Sequence, residues 1–552
     1  MVLKGKGVCS GYAYGRISIY NRAETKVVRK KCKDAENEIA RFNEARDKAK
    51  QEYERLYEKA AVEMGNSSAA VFKADIVLLD DMDYIDSVCN IIRSQKINAE
   101  YAVALTIDNF ARMILRLEDE YIRDRARDVR EVYNKVIGIL TGETSPGERY
   151  DEPVIIMAND LTPSEIVRMD KTNIIGFVMG DNNSNSHAVI FSKSMSIPSL
   201  IGADLSGYID NSGEIFMDQD IATRFEGKMA ILDGFLGKLI VDPDEEEIRM
   251  YQKRMEREEK NKELLLQLKG RETVTLSGKR VNLYANINNE TDVAAALKND
   301  AEGVGLFRSE YLYMGREEVP SEEEQFAIYK MIAENVGGKK VIIRTADIGA
   351  DKQVSYLDLD AENNPALGYR GIRLSLDKRE MFIAQLRAIY RASYYGNIAI
   401  MFPMITSLKE VLAAKKITED IKNELEAEGY PYKDCEIGIM IETPAAVMIS
   451  DILAQEVDFF SIGTNDLSQY TLAVDRTNSR LDKYYNPYHE AILRQIKMTI
   501  ENAHKHNCRV GICGEIASSE MMIPKLLEYG IDEISVAPGN VLLVRDIIRR
   551  TN

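Results

Sequence analysis

The sequence predicts a multidomain α/β protein: a compact α/β unit that carries an inserted helical bundle, followed by a (β/α)8 barrel of the TIM type. Three observations predict it. Eight short apolar runs follow one another from Val281 onward, most of them separated by helical patterns. Residues 22–143 show the three- and four-residue apolar spacing of helices, and residues 153–230 hold short β-like runs divided by polar turns. A chain of 552 residues exceeds what one core can support and is expected to split into about three or four domains.

Taken in order, "GRISIY" near the N-terminus is expected to supply the first strand of the α/β unit, which resumes after the insertion. From about Asp34 to Met64, Ile39, Phe42, Ala45, Ala49, Tyr53, Leu56 and Ala60 recur on one helical face with charges between them. Three more helices are expected, at roughly Ala69–Ser94, Ala99–Glu118 and Tyr121–Leu140, making 22–143 one inserted bundle. "TGETSPGERYDEP" ends it with Gly and Pro. "PVIIMA", "NIIGFVM" and "EIFMD" read as strands, so 1–21 and 144–230 together form the α/β domain. The densely charged "DPDEEEIRMYQKRMEREEKNKELLLQLK" reads as a solvated helix within a linker, 231–270.

The barrel is expected over 271–552, from "VNLYANI", "GVGLF", "VIIRTA", "IAIMFPM", "EIGIMIE", "DFFSIGT", "RVGICGE" and "EISVA". In this fold the chemistry sits where strands end at their C-terminal side. Those ends carry Arg308, Arg344, Asp347 with Lys352 nearby, Pro403, Glu442, Asn465 with Asp466, and the Cys513-Gly514-Glu515 turn. Arg370 and Arg476 lie in connecting loops. Forked guanidiniums suit phosphate and carboxylate oxygens, and a pair of carboxylates suits Mg²⁺, which takes a couple of protein oxygens and completes its shell with substrate. Convergence on one face predicts a pocket for a small phosphorylated acid with a divalent cation. For Cys513 two readings stand level, an inert buried thiol and a proton donor facing the ligand.

Composition narrows the partners. A formal charge of -17 argues against a nucleic-acid backbone, while screening within about 8 Å leaves room for a local cluster of arginines. Six cysteines without a CxxC pair fit reduced thiols, and the absence of a signal-like segment or an apolar run of about 18 residues predicts a soluble cytoplasmic protein. His187, one of four histidines, stands in "NNSNSHAVIFSKSMSIPSLIG", where an isolated loop histidine would ordinarily be solvated surface. His489, His504 and His506 call for no function, and the last two are too poorly spaced on a helix to form a metal pair.

The stretches "DLTPSE", "GVGLFRSEYLYM", "RTADIGADK", "ETPAAV", "FFSIGTNDLSQYTLAVDR" and "GICGE", with His187, make the chain resemble enzyme I of the bacterial phosphotransferase system nearly end to end. That resemblance implies a swivelling phosphohistidine domain around His187 and a helical block that docks the phosphocarrier protein HPr. It implies a barrel that binds phosphoenolpyruvate and forms a homodimer. By it, Arg308, Arg344, Lys352 and Arg370 bind the phosphate, and Asn465, Asp466 and Arg476 engage the other oxygens. Glu442 and Asp466 ligate Mg²⁺, and Cys513 protonates the enolate to give pyruvate. His187 has to visit two partners, so 144–152 and 227–270 are expected hinges.

The active loop departs from the family's G-G-x-T-S-H. Here it reads Asn182, Asn183, Ser184, Asn185, Ser186, His187, with Ser192 and Lys193 where an alanine-arginine pair is usual. Lys193 offers a point charge in place of a fork. Asp75 replaces a histidine common near the docking surface, which is expected to alter the electrostatic match with a carrier. These departures motivate a second reading, a phosphoenolpyruvate-sensing protein with an impaired relay. A nucleotide-dependent dikinase is disfavoured, since no G-x-x-x-x-G-K-[ST] loop appears.

Overall fold

The chain folds as two units, Met1–Glu259 and Lys260–Asn552. The computed structural model describes all residues except 21–26, 65, 115–119, 143–149, 181–188, 190, 191, 193, 194, 196, 204, 206, 210–214, 218–222, 315, 317, 350–353, 358, 361, 477 and 482.

In the first unit, β1 (Val2–Lys4), β2 (Lys6–Cys9) and β3 (Tyr12–Ile19) precede the helical insertion. β4 (Val154–Ala158), β5 (Ile174–Met179) and β6 (Ser199–Ile201) follow it, with a small hairpin of β7 (Gly207–Ile209) and β8 (Ile215–Met217). β9 (Met229–Asp233) and β10 (Lys238–Val241) complete an eight-stranded sheet ordered β1-β10-β9-β3-β4-β5-β6-β2. β3 pairs in parallel with β4, from Arg16 opposite Val154 to Ile19 opposite Met157, so "GRISIY" supplies its strand as the sequence suggests. β4 is buried along its whole length because both faces of the sheet are covered: Ile155 and Met157 enter one cluster, Val154, Ile156 and Ala158 the other.

The insertion holds α1 (Ala35–Met64), α2 (Asn66–Leu79), α3 (Met82–Gln95), α4 (Ala99–Ile114) and α5 (Glu120–Thr141). All seven apolar residues that predicted α1 are buried. The single helix expected over Ala69–Ser94 is two. Asp81 breaks it by taking an extended conformation and accepting hydrogen bonds from the Asp83 and Tyr84 amides, which makes it the N-cap of α3. That cap also aims Tyr84, whose ring stacks on Tyr133 with centroids 3.5 Å apart. The two hydroxyls donate to carbonyls of neighbouring helices, Tyr84 to Val103 and Tyr133 to Leu78. Asp75, expected to shape a docking surface, is instead 7 % exposed, on the buried side of α2.

The linker expected over 231–270 is also corrected. Residues 229–241 are a hairpin of the sheet, and the helix α7 covers only Glu245–Leu266; α6 is the short Pro163–Arg168 helix capped by Thr162. The proposed hinge therefore cannot begin at 227. "ILDGFLGKLIV" is a strand-turn-strand pattern: Asp233 accepts from the Phe235 and Leu236 amides and Gly237 takes a φ of +61°.

In the second unit, β11 (Asn282–Ile287), β12 (Gly303–Arg308), β13 (Lys340–Arg344) and β14 (Asn397–Phe402) lead into β15 (Glu436–Ile441), β16 (Phe459–Ile462), β17 (Arg509–Ile512) and β18 (Glu533–Val536). These eight strands close in chain order into a barrel, all neighbours parallel. Alternation along the strands sorts the side chains. Val341, Ile343, Ile398, Ile400 and Ile439 face the surrounding helices, while Leu306, Ile342, Ala399, Met401, Met440 and Phe459 fill the interior. Burying each large aliphatic side chain is worth roughly 1.5–3 kcal/mol, so closure and packing reinforce each other. His489 caps the helix Glu490–His504 by accepting from the Ala491 amide, and His504 pairs with Asp532 at 2.8 Å. Among the described residues no helix is long and apolar enough to cross a membrane.

Asp81→Ala is expected to lower the stability of the first unit by about 1 kcal/mol through loss of the cap. Urea denaturation followed by tyrosine fluorescence, which reports the Tyr84–Tyr133 stack, measures it.

Candidate active site

Arg344 ends β13 and is buried. Left alone in the interior a guanidinium is costly, and here two carboxylates compensate it: Glu310 at 2.5 Å and Asp347 at 3.1 Å. Asp347 is shared. Both of its oxygens accept from Arg370, at 3.1 and 3.0 Å, and Arg370 reaches on to Asp466 at 3.4 Å and to the Tyr470 hydroxyl at 3.1 Å. Burial opposes the charge on both arginines. Glu310 and Asp347 override it for Arg344, and Asp347 and Asp466 for Arg370, so both are held above the ordinary guanidinium value. The arginines expected as open anion receptors are thus already paired. Two of their nitrogens, Arg344 Nε and Arg370 Nε, are buried with no hydrogen-bond partner among the described residues.

Glu442 follows β15 and is fully buried. Its Oε1 accepts from the Met404 amide at 2.7 Å; Met404 presents that N–H from a left-handed backbone, φ +55°, just past the end of β14. Oε2 has no hydrogen-bond partner among the described residues. Burial pushes this carboxyl up to about 7, with Asp466 and Asp347 adding to the rise. A buried carboxylate oxygen without a hydrogen-bond partner among the described residues, near a second carboxylate, is what a divalent cation with oxygen ligands requires, so the residues present fit Mg²⁺. Glycine keeps the space open: a Cβ on Gly463 would stand 2.7 Å from Glu442 Oε2.

Asn465 and Asp466 occupy the first turn of the helix Thr464–Leu472, directly after β16. Asn465 Oδ1 accepts from the Glu515 amide at 3.2 Å, which leaves its NH₂ as the end able to donate to a ligand. Cys513 follows β17, with its amide donating to the Ile462 carbonyl at 3.1 Å and its thiol 3.6 Å from the same oxygen. Burial pushes the thiol up to about 11, so it holds its proton at neutral pH. Arg308 is half-buried at the end of β12, and Arg476 is exposed in the loop after the Thr464–Leu472 helix, at the rim rather than in the network.

The barrel end therefore brings together Arg308, Arg344, Arg370, Glu442, Asn465, Asp466 and Cys513. Lys352, His187 and the loop positions Asn182, Asn183, Ser184, Asn185, Ser186 and Lys193 lie outside the described residues. Ser192 is buried, its hydroxyl on the Val189 carbonyl. Sequence reading missed Glu310, Tyr470 and Met404. An acid two residues after Arg308 was the available signal for the first. The other two act through a hydroxyl and a backbone amide, which no residue pattern announces.

Three family models match the chain: "PEP-utilising enzyme, N-terminal" over 4–125, "PEP-utilising enzyme, mobile domain" over 150–237 and "PEP-utilising enzyme, PEP-binding domain" over 262–552. The phosphoenolpyruvate-protein phosphotransferases of Priestia megaterium and of Bacillus subtilis (strain 168) are each 40% identical to it over 99% of this chain and 94% of their own length. That of Staphylococcus aureus is 41% identical over 93% of this chain and 88% of its own. The chain belongs to the phosphoenolpyruvate-protein phosphotransferase family. Within this family match, His187 falls in the mobile-domain segment, and every described member of the barrel cluster falls in the PEP-binding segment.

Gly514 keeps the phosphotransferase barrel mouth close-packed: a Cβ there would lie 1.8 Å from Thr464 Oγ1. Gly514→Ala is expected to destabilise the barrel by about 1–3 kcal/mol through overpacking, whereas Gly539→Ala, whose Cβ meets nothing within 4 Å, changes it by less than about 0.5 kcal/mol. Guanidinium denaturation of the two variants side by side tests the difference.

Proposed function

We propose that this enzyme transfers the phosphoryl group of phosphoenolpyruvate to its own His187 and then to a histidine of HPr, releasing pyruvate, as the entry step of phosphotransferase-system sugar uptake. The observation that carries the barrel half is that three of the buried atoms without hydrogen-bond partners among the described residues belong to the charged groups at the barrel mouth: Arg344 Nε and Arg370 Nε as donors, Glu442 Oε2 as acceptor, alongside Glu310 Oε2 and several hydroxyls. Donors of that kind call for an anion, and the acceptor calls for a cation. A magnesium phosphoenolpyruvate complex supplies both. The family match supports the substrate.

In this reading Arg308, Arg344 and Arg370, with Lys352, grip the phosphate, and Asn465 and Arg476 engage the other oxygens of the acid. Glu442 and Asp466 hold Mg²⁺, which when bound neutralises charge on the phosphate oxygens. The bond between phosphorus and the enol oxygen breaks as an imidazole nitrogen of His187 takes the phosphoryl group. The electron pair left on the enolate closes the ketone and its C3 takes the proton from the Cys513 thiol, giving pyruvate and a thiolate that water reprotonates. A thiol held near 11 is a reservoir that keeps its proton until a basic carbon is presented.

The proposed domains follow the same division: His187 on the α/β unit, the helical block for HPr, and the barrel for phosphoenolpyruvate and for pairing with a second copy. The second reading, a sensor with impaired relay, is motivated by the altered loop, Asn182, Asn183, Asn185 and Lys193.

Incubation with phosphoenolpyruvate and Mg²⁺, quenched without acid, is expected to add one phosphoryl group by intact mass, and His187→Ala is expected to add none. Arg344→Lys is expected to lower the labelling rate by about 10²-fold, since a point charge cannot serve Glu310, Asp347 and the anion together. Labelling of the parent without transfer to any HPr would select the sensor reading.

A further inference from the structure

We infer that Asn286 is a positioning residue for the Cys513 thiol, with Ser535 holding it from behind. This rests on the reading of Cys513 as the proton donor. The barrel's shortest ladder lies beside this thiol. β17 and β18 pair only through Gly511 with Glu533 and Ile512 with Ile534, so the carbonyl of Cys513 lies beyond the last backbone pair. β11 runs further along β18, to Ala285 opposite Val536, and Asn286 is the next residue.

The register of β11 against β12 shifts between Ala285 and Asn286, the kind of bulge that re-aims a side chain. Re-aimed in this way, the Asn286 amide spans two strands. Its Nδ2 donates to the Ser535 carbonyl at 3.3 Å and to the Cys513 carbonyl at 3.1 Å, and its Oδ1 accepts from the Ser535 hydroxyl at 2.7 Å. A side chain has replaced the ladder bond that the backbone lacks. The Cys513 peptide is then fixed on both sides: its N–H to Ile462 across β16, and its C=O to Asn286 across β18.

The clamp matters because Cys513 stands between Gly511 and Gly514, close to residues with little conformational restraint of their own. Gly514 cannot be exchanged for a stiffer residue, since its Cβ would collide with Thr464. Proton transfer to carbon tolerates little misplacement, and a thiol whose backbone drifts spends less time within reach of C3. A purely structural amide would affect every step equally; a positioning amide affects the proton and spares the phosphoryl transfer.

The test follows one turnover of the full-length enzyme with phosphoenolpyruvate and Mg²⁺, measuring two rates in each sample: phosphoryl label on His187 by intact mass, and pyruvate formed. In Asn286→Ala the ratio of pyruvate formation to labelling is expected to fall about tenfold, and in Ser535→Ala about threefold. Asn286→Ser, which keeps a small polar side chain too short for both carbonyls, is expected to match Asn286→Ala and decides the matter if the alanine variant does not fold. Cys513→Ala sets the scale. Should it leave pyruvate formation at the parent rate, the donor reading itself fails. Should it slow pyruvate while the Asn286 variants keep the parent ratio, or slow both rates alike, the inference is overturned and the donor reading survives.

Discussion

Asp347 sits between two buried guanidiniums, and the barrel mouth depends on that sharing. Arg344 and Arg370 are each 4 % exposed, and a guanidinium buried there without a carboxylate in contact would be strongly destabilising. Asp347 serves both, Glu310 completes Arg344, and Asp466 completes Arg370. The network fixes the two forks relative to the end of β13, to the loop carrying Arg370 and to the helix after β16, so both guanidiniums, the phosphate donors of the proposed function, are held in place by protein groups alone. It also limits what those forks can offer. Their outer nitrogens are engaged, and the Nε atoms have no hydrogen-bond partner among the described residues.

A count of arginines suggests a strongly positive trap, yet the pairing says otherwise. Within the paired network two guanidiniums, Arg344 and Arg370, meet Glu310, Asp347 and Asp466, with Glu442 close by, so the network itself offers an anion little net positive charge. Such a site gains little by attracting a trianion alone. A divalent cation at Glu442 and Asp466 shifts the local balance by two charges and turns the same geometry into a receptor. Metal and anion are then expected to bind interdependently, each removing a penalty the other would meet. Burial, with Asp466 and Asp347, raises Glu442 to about 7, the direction that penalty predicts.

Much of this was legible in the sequence, for reasons that differ by element. Parallel strands covered on both sides read as unbroken apolar runs, and each of the eight barrel strands matches its quoted run to within one residue at the ends that overhang it. The helical face of α1 was legible because seven apolar positions repeat without interruption. The break at Asp80-Asp81 was not, because an acid pair inside an amphipathic helix and an acid at an N-cap have the same composition; only the backbone conformation separates them. The hairpin at 229–241 was absorbed into a linker because the charged helix after it dominates the local pattern. At the site, residue types that announce chemistry were found at the strand ends. Those that act by restraint were not: Met404 works through its amide, and Asn286 through carbonyls of two other strands.

Around the rim the chemistry is divided by arc. Charged groups come from β12 through the start of the helix after β16: Arg308, Arg344, Asp347, Arg370, Glu442 and Asp466. From there round to β11 lie the neutral Asn465, Cys513, Ser535 and Asn286, with Arg476 exposed at the rim and Glu515 two residues beyond the thiol. A phosphorylated enol acid is itself divided, with most of its charge at phosphorus and a neutral methylene at C3. Matching the two halves places phosphorus over the charged arc and C3 over the neutral one. Ionic groups near the carbon would work against the thiol, because a carboxylate beside it raises the cost of the thiolate left behind and a free guanidinium lowers the thiol's grip on its proton before the carbon needs it. On the proposed reading burial does most to keep the Cys513 proton in place, Glu442 opposes its loss while Arg344 and Arg308 favour it, and the amide contacts fix the backbone that carries the thiol.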